Sequence, residues 1–382
     1  MLVYIAIGIV SFVLLAAGLL VWMAKRQIDR KTEQDVLEFL AQQPDCSSVV
    51  AIENGQVVID YQSNVKRPLA SVLKIVIAAE FAEQAAQGTI QPDEMISLAD
   101  LNRFYIPNSD GNAHSSWLGH LGQETTDGAE SSGFVPLIEV TRGMIQFSSN
   151  ANTEFLMEKL GLDNINRRIT ALGLSEHDPI YPVSSAMLMY AHLIKNDCLS
   201  SRQAEQAMKN FSDEQYVAIA NQLFDMIRQL PDTISDLNRI NLPLSAQAVW
   251  SDRLPRSTAK EYAQLLQSIQ NGERLSPIAL PIFYDIMERK PNPESPIERI
   301  GFKGGSTLDI LNEALYYRDK AGNEGQLVIF IHERKRMELF WLKNKLDLFL
   351  RAYLTNPEFR NSAVTALGKS TRENTAVEPQ AI

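Results

Sequence analysis

Residues 67–84, RPLASVLKIVIAAEFAEQ, place Ser71 and Lys74 three positions apart in a run that is otherwise almost wholly aliphatic. In a helix that spacing puts both side chains on one face, a turn apart. Burial disfavours the charged form of lysine, so a lysine held there can take the proton of a neighbouring hydroxyl and make serine a nucleophile. Ser71 also falls at the expected helix start, between Pro68 and a stop at Gly88. Free N–H groups and the helix dipole favour developing negative charge at that end. The plainer alternative is a cap serine and a lysine that threads its ammonium to water.

The S-x-x-K spacing occurs three times, at Ser63/Lys66, Ser71/Lys74 and Ser257/Lys260. The first falls in a strand-to-helix connection. The third opens an amphipathic helix, where a cap and a solvated lysine explain both residues. Only the second lies among Val72, Leu73, Ile75, Val76, Ile77, Ala78 and Ala79. An unpaired ammonium buried there costs several kcal/mol unless it is neutralised or well partnered. Two later stretches add to it. Ser148-Ser149-Asn150 stands directly before the helical pattern NANTEFLMEKLG, and Lys303-Gly304-Gly305 lies on a strand-like run ahead of Ser306 and Thr307. Singly, these are an ordinary N-cap and an edge-strand lysine beside bulge glycines. In this order they are far more specific.

With those three stretches the chain resembles the class A β-lactamases and the wider penicillin-recognising serine enzymes, whose motifs are S-x-x-K, S-D-N and K-T-G. Here they read SVLK, SSN and KGG. NANTEFLMEKLG is similar to the family's helix after S-D-N. RSTAKEYAQLLQSIQNGERLSP is similar to the helix pair before the K-T-G strand. The resemblance covers roughly residues 33–352. It implies Ser71 as the acylated nucleophile, Lys74 as its base, Ser148 as proton relay to the leaving group and Asn150 as the holder of the substrate's amide side chain. It further implies a strand-side wall of Lys303, Gly304, Gly305, Ser306 and Thr307, with Lys303 helping to bind an anionic substrate. The backbone N–H groups of Ser71 and Ser306 would form the oxyanion hole. The implied substrates are a β-lactam, a D-alanyl cell-wall peptide or a related amide or ester, with no metal or organic cofactor. Two departures stand out. Gly304 replaces the family's central hydroxyl residue, and no E-x-x-L-N element, the source of the deacylation glutamate, follows SSN. Glu176 and Asp178 are the nearest acids. The expectation is an acyl-enzyme that forms and then persists; the alternative is a non-catalytic binding or scaffolding relative.

Composition narrows the remaining classes. A net charge of −10 and a pI near 5.2 argue against a nucleic-acid partner, which needs a basic face. Cys46 and Cys198 make neither a disulfide framework nor a thiolate metal site. His114 and His120, in a polar stretch without an obvious third ligand, read as surface histidines, and His332 as structural. There is no G-x-S-x-G, and Gly368-Lys369-Ser370 lacks the first glycine and the strand of a phosphate loop. Residues 2–24 carry no charge and are long enough to span a bilayer. Lys25, Arg26, Arg30 and Lys31 after them favour a cytoplasmic domain by the positive-inside rule. The resemblance favours the opposite: a single-pass protein of the cell membrane with its domain outside.

The elements needed to position these residues follow from patterning. A helix over 33–43 precedes two apolar runs around Asn54-Gly55, a hairpin signal. Residues 100–135 read as a functional surface loop or a lid. Helical patterns run over 136–173 and about 184–245. Thr258 and Glu261 have capping-box spacing in a helix that stops at Gly272. Three strand-like runs, ERIGFKGGST, EALYYRD and QLVIFIHE, and a helix over about 335–353 close the domain. The expected organisation is an anchor and juxtamembrane segment (1–32), one domain (33–354, with an insertion at about 176–250) and a disordered tail (355–382). The expected fold is α+β, an antiparallel sheet from both chain ends packed against a helical subdomain.

Overall fold

The computed structural model describes residue 23 and residues 25–122, 133–230 and 232–368. The expected anchor over 2–24 falls almost entirely outside the described residues. Among those described, no helix is long and apolar enough to cross a membrane.

Helix α1 (Glu33–Gln42) starts at Thr32, whose hydroxyl accepts from Asp35 N while the Asp35 carboxylate bonds back to Thr32 N. That reciprocal pair satisfies two donors a helix start leaves open. Strands β1 (Ser47–Glu53) and β2 (Gln56–Tyr61) form the expected hairpin. Asn54 and Gly55 have φ of +47° and +82°, the left-handed pair a two-residue turn requires. Far along the chain lie β3 (Glu288–Arg289), β4 (Ile297–Ser306), β5 (Ile310–Asp319) and β6 (Glu324–His332). The six strands run β2-β1-β6-β5-β4-β3, all antiparallel, and β1 joins the two chain ends by pairing Ser47 with Ile331 through Glu53 with Gly325.

Alternation along the strands sends side chains to two cores. Val49, Ala51, Leu315, Leu327 and Ile329 face α1, α9 (Arg336–Thr355) and α10 (Pro357–Leu367). Val50, Ile52, Ala314, Val328 and Phe330 face the helical subdomain. α10 corrects the expectation of a disordered tail from residue 355. Its polar residues hid a stripe of Phe359, Ala363 and Leu367, buried against α1 and β2, and Asn356 caps it. In the described part of residues 100–135, read as a functional surface loop or a lid, lies α3 (Ala113–His120), with Trp117 buried.

At the centre of the subdomain runs α2 (Lys74–Ala86), buried at every residue from Lys74 to Gln84. A helix apolar all round belongs inside a core. Its acids are accounted for: Glu80 pairs with Arg168 at 2.7 Å, and Glu83 accepts from Ser276 N at 2.7 Å. On the sheet side lies α7 (Ala259–Gln270). Thr258 accepts from Glu261 N, but the Glu261 carboxylate bonds Ser175, Glu176 and Ser257 instead of returning to the cap. Half of the expected capping box is present.

Candidate active site

The chain approaches Ser71 through a constrained turn. Arg67, buried, donates to Ser48 Oγ and to the carbonyls of Pro44, Asp45 and Ser47. Asn312 Nδ2 donates to Pro68 O at 2.8 Å, tying the turn to β5. Ala70 then takes φ +47°, left-handed and strained for a residue with a Cβ. Ser71 lies in a 3₁₀ turn, Ala70–Leu73, and α2 begins only at Lys74. The expected helix start at Ser71 is thus a tighter turn feeding the helix. Against it packs β4: a Cβ on Gly305 would stand 2.7 Å from Ser71 N and 3.0 Å from Leu69 O. Only glycine permits that approach.

A cavity of about 340 Å³ opens along β4, beside the helical subdomain. Ser71, Lys74, Ser148, Asn150, Gly304, Gly305, Ser306 and Thr307 all line it, joined by Ser109, Asp110, Val183, Trp250 and Glu313. Three stretches more than 70 residues apart in sequence therefore meet at one place. Lys74 is 1% exposed. Its Nζ donates to Ser148 O at 2.7 Å and Asn150 Oδ1 at 3.0 Å, with Ser148 Oγ at 3.3 Å. These are neutral partners. Burial, reinforced by repulsion from Lys303, pushes the Lys74 pKa well below the ordinary lysine value, while Asp110 and Glu154 oppose the shift. The solvent-seeking alternative for Lys74 does not describe this side chain.

Ser148 reaches that position because it sits at φ +72°, just ahead of α4 (Asn150–Leu160), which Ser149 caps through Asn152 N. Asp110 fixes the neighbourhood from the other side, accepting from the N–H groups of Ala113, His114 and Asn150. His114 is a correction to the sequence reading. It is fully buried, bonded to Ser149 Oγ at 3.0 Å and Asn102 Oδ1 at 2.9 Å, and burial lowers its pKa to about 4. Among the described residues no His, Cys, Asp and Glu group is placed to hold a metal.

Lys303 differs most from its expected place. It is 3% exposed, donates to Gly304 O at 2.7 Å and does not line the cavity. Burial lowers its pKa to about 8, against the pull of Glu313. Glu176 and Asp178 are absent from the lining as well. Glu176 N bonds Glu261, and Asp178 pairs with Lys66 at 2.6 Å and accepts from Arg256 N. The segment after them meets the cavity through Val183, held by Trp250 Nε1 donating to Val183 O at 2.8 Å. Glu154, on α4, anchors the same segment by accepting from Ser185 N and Oγ, each at 2.6 Å. Burial raises Glu154 to about 7. Asp110, Glu154 and Glu313 escaped the sequence reading. For Glu313 the available signal was a carboxylate inside the apolar run ILNEALYY.

A family model described as the β-lactamase enzyme family matches residues 31–336. No curated protein matches the chain in sequence. Among solved structures, a β-lactamase from Sphaerobacter thermophilus DSM 20745 is similar at 15% identity and TM-score 0.51, over 83% of this chain and 94% of that one. The TLA-3 extended-spectrum β-lactamase is similar at 11% identity and TM-score 0.51, over 84% and 98% of the two chains. The TLA-1 extended-spectrum β-lactamase is similar at 12% identity and TM-score 0.50, over 88% and 99%. These likenesses are of fold.

Proposed function

Because the chain belongs to the β-lactamase enzyme family, we propose that it is a membrane-anchored serine hydrolase that forms an acyl-enzyme on Ser71. Its substrate is an amide or ester carbonyl of the β-lactam, D-alanyl peptide or related class. One observation carries this reading. A buried lysine without a carboxylate partner stands one turn from a cavity-lining serine, with Ser148 and Asn150 on its ammonium. Neutral Lys74 takes the Ser71 hydroxyl proton as Oγ attacks the carbonyl carbon. The oxygen that becomes negative is received by the N–H groups of Ser71 and Ser306. The bond from Thr307 N to Ile310 O, 3.0 Å, fixes the ladder so that the Ser306–Leu311 pair is of the non-bonded kind, with Ser306 N–H turned away from β5. As the tetrahedral intermediate collapses, the proton passes from Lys74 through Ser148 Oγ to the departing nitrogen or oxygen. The products of this half are the ester on Ser71 and the amine or alcohol, which stays tethered to the acyl group when the substrate is a β-lactam.

Hydrolysis of that ester needs a base for water. Of the carboxylates lining the cavity among the described residues, Asp110 already accepts three backbone N–H bonds and Glu313 is packed against Gly304 on the strand wall, and the Val183 segment brings none. The acyl-enzyme is therefore long-lived. Residues 2–24 support an anchor, and the family's substrates support an external domain; protease accessibility in intact cells against spheroplasts tests the orientation. Intact-protein mass spectrometry after a fluorophosphonate or a penicillin tests the chemistry. The expected result is one adduct on Ser71 that Ser71→Ala abolishes. Folded protein that reacts with neither probe would sink the proposal and leave the non-catalytic alternative.

A further inference from the structure

Gly304 and Glu313 face each other across β4 and β5. The ladder alternation makes them a non-bonded pair, the closer kind, in which the side chains lie side by side. A Cβ on Gly304 would stand 2.5 Å from Glu313 Oε1 and 3.1 Å from its Cδ and Oε2. The carboxyl thus fills the space of a side chain at 304, and both residues line the cavity. Glycine at 304 and glutamate at 313 are one feature: a hydroxyl side chain is excluded and an acid occupies its volume. The charges around that acid do not turn the wall cationic. Lys303 spends an N–H on Gly304 O and lies outside the lining; Arg289 stacks over Phe302 at 4.7 Å and donates to Gln146 O; Asp347 adds negative charge from α9. Across the cavity stands a second carboxylate, Asp110, and Lys74 is committed to Ser148 and Asn150.

Resting on the acyl-transfer reading, we propose that Glu313 is a specificity determinant: the strand side of the site rejects a substrate carboxylate and takes a hydrogen-bond donor, an ammonium or a primary amide, in its place. Like charges brought together at a recognition site repel, and a carboxylate accepts readily from N–H donors. Burial, with Asp347, raises Glu313 to about 7 against Lys303 and Arg289, so the rejection is full above that pH and fades below it as the carboxyl gains a proton.

Three thioester probes, alike except for a terminal carboxylate, carboxamide or ammonium, test this on the full-length protein at pH 8, read as the rate of Ser71 acylation by mass spectrometry. The carboxamide and ammonium probes are expected to react about tenfold or more faster than the carboxylate probe. Glu313→Gln is expected to bring the three rates together by accelerating the carboxylate probe. The double variant Gly304→Ser with Glu313→Ala, which restores a hydroxyl and removes the acid, is expected to do the same. A wild-type protein that acylates as fast or faster with the carboxylate probe overturns the inference alone, as does an unchanged ratio in both variants. Silence from all three probes overturns the acyl-transfer reading and this inference with it.

Discussion

Lys74 joins composition to chemistry most directly. Its side chain is buried at the start of a largely aliphatic helix, and its ammonium is bonded to a carbonyl, an amide oxygen and a hydroxyl, none of which carries charge. Desolvation therefore dominates, and the neutral form is accessible far below the ordinary lysine range. Since acylation needs that neutral form, its rate should rise with pH and reach its plateau well below 10.5, measured as adduct formation against pH. Lys74→Met, of similar shape without the amine, should lose about 100- to 10,000-fold of that rate. Gly305 makes a second residue-scale case. Gly305→Ala places a methyl 2.7 Å from Ser71 N, so the nucleophile's turn must shift. The expected outcome is about a 100-fold loss of acylation with a stability cost of only about 1–3 kcal/mol, read by mass spectrometry and urea unfolding.

Among the elements, α4 does two things at once. Its N-terminus brings Asn150 to Lys74, and one turn later Glu154 holds the Ser185 segment that carries Val183 to the cavity. The folded protein keeps the Glu154 proton to about pH 7, whereas an unfolded glutamate releases it near 4.5. Between those values the folded state binds more protons. Stability from this group is thus full below the lower pKa and is lost as pH rises through the upper one. Glu313 shifts in the same direction. His114 and Lys74 shift the other way, so the variant isolates the effect: in thermal unfolding, Glu154→Gln should raise Tm at pH 8 relative to pH 5 when each is compared with the unaltered protein. The same variant removes negative charge that supports the Lys74 cation, so its acylation profile should move to lower pH. No such pairing is visible in the sequence, because Glu154 and Ser185 are 31 residues apart.

For the whole molecule, a sheet closed by both chain ends makes the C-terminal helices part of the domain. Ending the chain at Thr355 removes Phe359 and Leu367 from the core shared with α1. That burial is worth about 3–6 kcal/mol, which urea unfolding of the truncated protein would register. The sequence by itself determined the antiparallel sheet, the buried helix and the SVLK, SSN and KGG stretches. Those features are local: alternation, a left-handed Asn-Gly turn and an apolar run around one lysine each declare themselves within a few residues. Tertiary structure decided the rest. Lys303 left the cavity wall and Glu313 entered it because which neighbour fills a glycine's empty space depends on the register of β4 against β5. His114 became a buried strut, and a polar-looking tail became α10, because burial is a property of what packs on top, and that lies far away in the chain.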